Sequence, residues 1–237
     1  MGQKVHPLGF RIGVTERWRS RWNAKKKDFP RTLKEDQLIR AHLKKAYNFA
    51  GISMIEIERN GDTTTVIVHS ARPRILIGKK GAKLNEIQAE IEKLISDKAR
   101  KVRLTLSEVN RPELNAQLVA ESMREQVEKR QPFRRVIKKT IQTTMNAGAK
   151  GVKVMLSGRL GGAEIAKCEQ SQQGRLPLQN LDAHISWGFT EAYTPYGHIG
   201  IKCWIYLGSH RDSKPAAAPS PRRAPMREGS GPREAGN

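Results

Sequence analysis

Acids, aromatic rings, cysteines and long apolar runs are all scarce in this chain of 237 residues. Asp plus Glu number 23 against 44 Lys plus Arg, which leaves a formal net charge of +21 and a sequence pI of about 10.4. An excess of that size marks a binder of polyanions. Aromatic residues make up only 5% of the chain. Broad stacking platforms for single-stranded bases are therefore not expected, and charge and backbone contacts should dominate. The two cysteines, Cys168 and Cys203, form no C-x-x-C pair, which argues against a zinc knuckle or a dithiol motif; both are expected to be small buried hydrophobes. No apolar run nears the roughly 20 residues of a membrane span. The opening "MGQKVHPLGFRIG" is basic and broken by Pro and Gly where a signal peptide has its apolar stretch. The expectation is a cytoplasmic protein with no membrane partner.

Enzymatic signatures are missing too. The chain has no G-x-x-x-x-G-K-[ST] loop, no H-E-x-x-H helix and no clustered carboxylates for two metals. His6, His42, His69, His184, His198 and His210 are scattered without ligand spacing. No cofactor, metal or small-molecule substrate is expected.

Residues 1–31 carry nine Lys or Arg and two acids, with Trp18 and Trp22 among Arg17, Arg19 and Arg21. Such a segment cannot build its own core, so it reads as a basic arm, either disordered or ordering on RNA. A helix is expected from "TLKE", capped by Thr32 with Glu35 three residues on. Leu38, Ile39, Leu43 and Ala46 would form its buried face and Gly51 its end. "SMIEIE" and "TTTVIVHS" alternate at period two around Asn60-Gly61, a strong hairpin signal. After Arg72-Pro73 come a short helical turn, a glycine loop, a helix marked by Leu84, Ile87, Ile91, Leu94 and Ile95, and the strand "VRLTLSEV". Residues 32–110 thus read helix, strand, strand, helix, loop, helix, strand.

"NRPEL" leads into a second unit, expected over 111–208. Val119, Met123 and Val127 mark one helix; Phe133, Val136, Ile137, Thr140, Ile141, Thr144 and Met145 mark another, entered through Pro132. Four strands follow: "GVKVMLS", a weaker segment near Cys168–Gln172, "LDAHISWGFTEAY" and "HIGIKCWIYL", whose Ile199, Ile201, Cys203, Ile205 and Leu207 point inward. The fold class is therefore α+β, with the second unit an α/β domain of two helices on a mostly antiparallel four-stranded sheet. Residues 209–237, with five prolines and little that is apolar, read as a disordered tail.

Two features point to chemistry. In "RILIGKKGAKLNEI" two lysines stand between two glycines at a corner before a helix. Glycines let the chain approach a ligand closely, and the amides opening the next helix point at it with the positive end of the dipole. Arg74, Lys79, Lys80 and Lys83 add charge, Ile75, Leu76 and Ile77 supply an aliphatic wall, and Gly78 and Gly81 frame the loop. This matches the KH pattern, whose glycine loop clamps four backbone nucleotides. The second feature is the helix entered at Pro132, whose core stripe leaves Arg134, Arg135, Lys138 and Lys139 on the opposite face with no acid in that turn.

The order of elements, together with "MGQKVHPLGFRIG", "ARPRILIGKKG", "RRVIKK", "GAKGVKV" and "SGRLGGAEIA", resembles the bacterial-type small-subunit ribosomal protein S-three family, whose first domain is a type II KH fold. The resemblance spans roughly residues 1–208. It implies a non-enzymatic ribosomal constituent that binds small-subunit ribosomal RNA and touches small-subunit proteins ten and fourteen. It also implies that Arg134, Arg135, Lys138 and Lys139 face the channel through which messenger RNA enters, the first three at positions implicated in opening messenger structure. Lys4, His6, Arg11, Arg17 and Arg19 of the arm, and Arg159 of the "SGRLGG" turn, are expected to contact ribosomal RNA. A free KH-type regulator outside the ribosome is the alternative.

Overall fold

The computed structural model describes residues 3–61, 63–78, 81–95 and 101–209. Lys79, Lys80 and the expected tail from His210 onward lie outside the described residues.

The first unit is built on strands β1 (Ser20–Arg21), β2 (Ile52–Asn60), β3 (Thr63–Ser70) and β4 (Lys101–Glu108), in the order β1-β2-β3-β4. The hairpin turns at Gly61, and β4 runs parallel to β3, with Val66 opposite Leu104. Helices α2 (Phe29–Ala46) and α4 (Ala82–Leu94) cover one face. Ile39, Ile57, Val66, Val68, Ile87 and Ile91 fill the space between, each at 2% exposure or less. Burying a side chain of that size contributes about 1.5–3 kcal/mol. The short helix α3 (Pro73–Ile77) leads to the glycine corner. With α2 and α4 this gives the α-β-β-α-α-β order of a type II KH domain, as expected.

Helix α2 starts earlier than "TLKE" suggests. Pro30 sits in its first turn, where a missing N–H costs nothing. Thr32 is inside the helix, buried, donating from Oγ1 to the Asp28 carbonyl at 3.0 Å rather than capping it. Glu35 is buried beside Arg59, Leu38 is 44% exposed and Ala46 is exposed, so the inward stripe is Ile39 and Leu43. The helix ends at Ala46, and Gly51 (φ 64°) closes a separate 3₁₀ turn, Asn48–Ala50.

The second unit places α5 (Ala116–Glu128) and α6 (Phe133–Asn146) on one face of β5 (Gly151–Gly158), β6 (Lys167–Gly174), β7 (Ala183–Thr194) and β8 (Gly197–Ser209). The strands run antiparallel in the order β6-β5-β8-β7. Asn115 caps α5 by accepting from the Gln117 and Leu118 amides. Val152, Val154, Leu156, Ile201, Cys203 and Ile205 are fully buried beneath the two helices. Cys203 is a core hydrophobe, its thiol pushed up to about 12 by burial. Cys168, expected to be buried as well, is exposed, because β6 is an edge strand and its partner Ser157 points away from the helices.

The basic arm is ordered on the protein itself. Helix α1 (Pro7–Arg11) lies against β7, and β1 pairs in parallel with β2. One short segment thereby touches both units. Trp22 Nε1 and Ser20 Oγ both donate to Asp36 Oδ2, at 2.8 and 3.0 Å. Among the described residues no helix is long and apolar enough to cross a membrane.

Candidate nucleic-acid interface

At the glycine corner both framing residues need to be glycine. Gly78 has φ 68° and ψ −170°, and Gly81 has φ 78° and ψ 7°, backbone regions that L side chains rarely adopt. A Cβ on Gly78 would also stand 3.0 Å from Lys83 Cβ, so the bare backbone is what lets the lysine stem lie alongside. Gly81 occupies the N-cap of α4 with no side chain accepting there, which leaves the first-turn amides uncapped by side chains. Arg74 and Lys83 are exposed, and the Lys83 ammonium sits 5.6 Å from the centroid of Phe49. Ile75 is half-buried and Ile77 is 39% exposed. Leu76 is 2% exposed and belongs to the core, so the groove wall is Ile75 and Ile77 with Leu76 as its anchor.

Helix α6 divides cleanly. Val136, Ile137, Thr140, Ile141 and Thr144 are buried, while Arg134, Arg135, Lys138 and Lys139 are exposed. An acid does arrive, from a distant strand: Glu169 Oε1 of β6 lies 4.0 Å from Arg134 Nη2. Both partners are open to water, so this pair contributes little. Among the described residues no acid pairs with Arg135, Lys138 or Lys139. Between α6 and β6 runs an open groove of about 660 Å³, lined in part by Arg135, Lys138, Gln142 and Ser171.

Two of the arginines expected to contact RNA are engaged by the protein itself. Arg11 is fully buried. Its guanidinium donates to the carbonyls of Ala183 (2.8 Å), Pro7 (2.9 Å), Leu178 (3.1 Å) and Asn180 (2.7 Å), so it knits α1 to the start of β7. Burial pulls its pKa below the ordinary guanidinium value, with Glu16 acting the other way. Arg159 folds back on its own turn, donating from Nε to Ala163 O (2.8 Å) and from Nη1 to Tyr196 O (3.2 Å). The "SGRLGG" segment forms a 3₁₀ turn, Leu160–Gly162, and the next element along the chain is β6.

The other arm residues fare differently. Lys4, Arg17 and Arg19 are exposed. His6 is exposed but caps α1, Nδ1 accepting from the Gly9 amide at 3.2 Å, and burial with Arg19 nearby lowers its pKa. The sequence reading also passed over the outward positions of β7 and β8, where Trp187, Phe189, Lys202 and Trp204 share one face. The signal that could have found them is the same period-two alternation, read for the side facing away from the helices.

A KH domain family model matches residues 38–114, and a model described as "Ribosomal protein S3, C-terminal domain" matches residues 123–205. A protein named "Small ribosomal subunit protein uS3" from Caldicellulosiruptor saccharolyticus is 50% identical over 218 residues, covering 92% of this chain and 97% of its own length. The chain belongs to the uS3 family. Its counterpart from Rhodopirellula baltica is 50% identical over 222 residues, covering 92% of this chain and 93% of the relative, and that from Clostridium novyi is 50% identical over 208 residues, covering 88% and 93%. Membership makes the chain a structural protein of the small ribosomal subunit and not an enzyme. The glycine corner lies inside the KH match, and the α6 cations lie inside the match to the uS3 C-terminal domain.

Proposed function

We propose that this uS3 protein grips small-subunit ribosomal RNA through its KH corner and presents α6 to messenger RNA at the channel through which the message enters, in the cytoplasm. The observation that carries the reading is the set of four exposed cations on α6, three of them without an acidic partner among the described residues, opposite a buried stripe of Val136, Ile137, Thr140, Ile141 and Thr144. Cations fixed on a rigid helix hold single-stranded phosphates in a geometry that a duplex does not offer. They therefore favour fraying without hydrolysing anything. Arg74, Lys79, Lys80 and Lys83 at the corner supply the ribosomal RNA grip, with Gly78 and Gly81 admitting the sugar-phosphate chain. Lys4, Arg17 and Arg19 add to it from the arm. Neighbouring small-subunit proteins ten and fourteen are the proposed protein partners.

We divide the chain into an arm, a KH domain, a C-terminal domain and a tail, with the first boundary at Asp28 because α2 begins at Phe29, and the last after Ser209, the final residue of β8. Ribosomes carrying Arg134→Ala, Arg135→Ala and Lys138→Ala together test the α6 role. They are expected to traverse stable messenger hairpins more slowly than the parent while traversing unstructured messages at the parental rate. Equal rates through hairpins would overturn the reading.

A further inference from the structure

The C-terminal sheet has a second face, turned away from α5 and α6. Strand pairing sets its rows: Gln172, Lys153, Trp204 and Trp187 stand abreast across the four strands, and Gln170, Met155, Lys202 and Phe189 form the next row. Phe189 is 37% exposed, and Lys153, Lys202, Trp187 and Trp204 are partly exposed. The rings of Trp187 and Phe189 lie 11° from parallel with centroids 6.3 Å apart. Lys153 Nζ is 5.6 Å from the centroid of Trp204, and His6 of α1 meets Trp187 edge-on at 4.1 Å, closing one end of the row.

We propose that this face is a separate platform for single-stranded RNA, distinct from the KH corner and from α6. A row of four strands is about 14 Å wide, since neighbouring strands lie about 4.8 Å apart. In the RNA-recognition motif, a four-stranded sheet of another fold, two or three bases stack on aromatic side chains of one face. The pattern of charge selects the occupant. The centre of a protein–protein patch is enriched in Trp and Phe but depleted in Lys. Here a lysine stands next to a ring in each row, where it can neutralise the phosphate of a base stacked on that ring. Gln170 and Gln172 on the exposed edge strand offer donors and acceptors to base edges. The chain's 5% of aromatic residues thus does not preclude a stacking surface, because three of its rings are gathered in two adjacent rows.

The test uses the full-length protein carrying Arg135→Ala, Lys138→Ala and Lys139→Ala, so that a failure of the α6 reading does not affect the result. The probe is a short oligouridine containing 4-thiouridine. Irradiation is expected to cross-link it to peptides spanning 183–189 and 202–206. Trp204→Ala should weaken binding about five- to 150-fold, the range spanned by one lost base stack, and Trp204→Phe should restore most of it. Lys153→Gln with Lys202→Gln should shallow the log–log salt slope by about 1.4, about 0.7 for each phosphate released. Affinity within twofold of the parent for Trp204→Ala, or cross-links confined to residues 74–83, would overturn the proposal. So would a loss that Trp204→Phe fails to restore alongside an unchanged salt slope, which would mean damage to the fold. A small-subunit protein that binds this face without being displaced by oligouridine would overturn it too.

Discussion

Arg11 and Arg135 are both cations of a strongly basic chain, and they meet opposite fates. Arg11 is sealed inside, its N–H groups spent on five backbone carbonyls. Arg135 stands open on α6 with no acid paired to it among the described residues. Arg59 resembles Arg11: at 5% side-chain exposure it is held by Glu35 at 3.0 Å and by Asp36 at 2.6 Å. A net charge of +21 therefore overstates the charge offered to RNA, because part of it works as internal scaffolding. What separates the two groups is whether the fold brings acceptors to the cation. A buried guanidinium without acceptors would be untenable, whereas an exposed one needs none.

That contrast can be broken most sharply at Asp36, which is fully buried and accepts from Ser20, Trp22 and Arg59. Asp36→Ala leaves the Arg59 charge short of a partner in a dry site and frees β1 and Trp22 from α2. The expected loss is about 3–5 kcal/mol of stability, measured by chemical unfolding. A loss below 1 kcal/mol would mean that water reaches Arg59 and that the site is not sealed. Next in size is Arg11→Met, which keeps most of the stem volume but takes the guanidinium donor from the carbonyls of Ala183, Leu178 and Asn180, the last keeping only the Ala183 amide at 3.3 Å. It is expected to cost about 3 kcal/mol. The salt slope of RNA binding should stay parental, since a sealed arginine releases no counterion. A shallower slope in that variant would return Arg11 to the RNA-binding set.

The elements legible in the sequence are those whose determinants are local. The hairpin around Asn60-Gly61 and the alternation of β8 follow from residues a few positions apart, and the α6 stripe needs only helical spacing. The glycine corner was legible because positive φ at Gly78 and Gly81 is a property of those residues themselves. The roles of Arg11, Arg159 and Arg134 were not, because Ala183, Tyr196 and Glu169 reach them from far along the chain. Thr32 misled because a capping-box pattern is equally compatible with the second turn of a helix that Pro30 starts earlier. The outward rows of β5, β7 and β8 were hidden by averaging, as a whole-chain aromatic fraction says nothing of how rings are gathered in space.

Glu90 supplies the finest test, since its side chain, 34% exposed, falls between the sealed and the open cases. It lies on α4 and ties that helix to the end of α2, accepting from the Tyr47 hydroxyl at 2.9 Å and meeting His42 Nε2 at 3.0 Å. The hydrogen bonds from His42 and Tyr47 hold its carboxyl below the ordinary value of 4.5, outweighing the opposing effect of burial. Tyr47, pushed up to about 12 by burial and by that hydrogen bond, stays a donor throughout the neutral range. A carboxyl whose pKa is lower folded than unfolded stabilises the fold fully above its unfolded value, and that contribution disappears as pH falls through the folded one. Glu90→Gln is therefore expected to cost no more than about 1 kcal/mol at pH 7, as a partly exposed pair does. The difference from the parent should shrink on acidification below the ordinary glutamate range, as followed by urea unfolding across pH. If the gap between variant and parent instead persisted in acid, the tie between α2 and α4 would rest on packing rather than on charge.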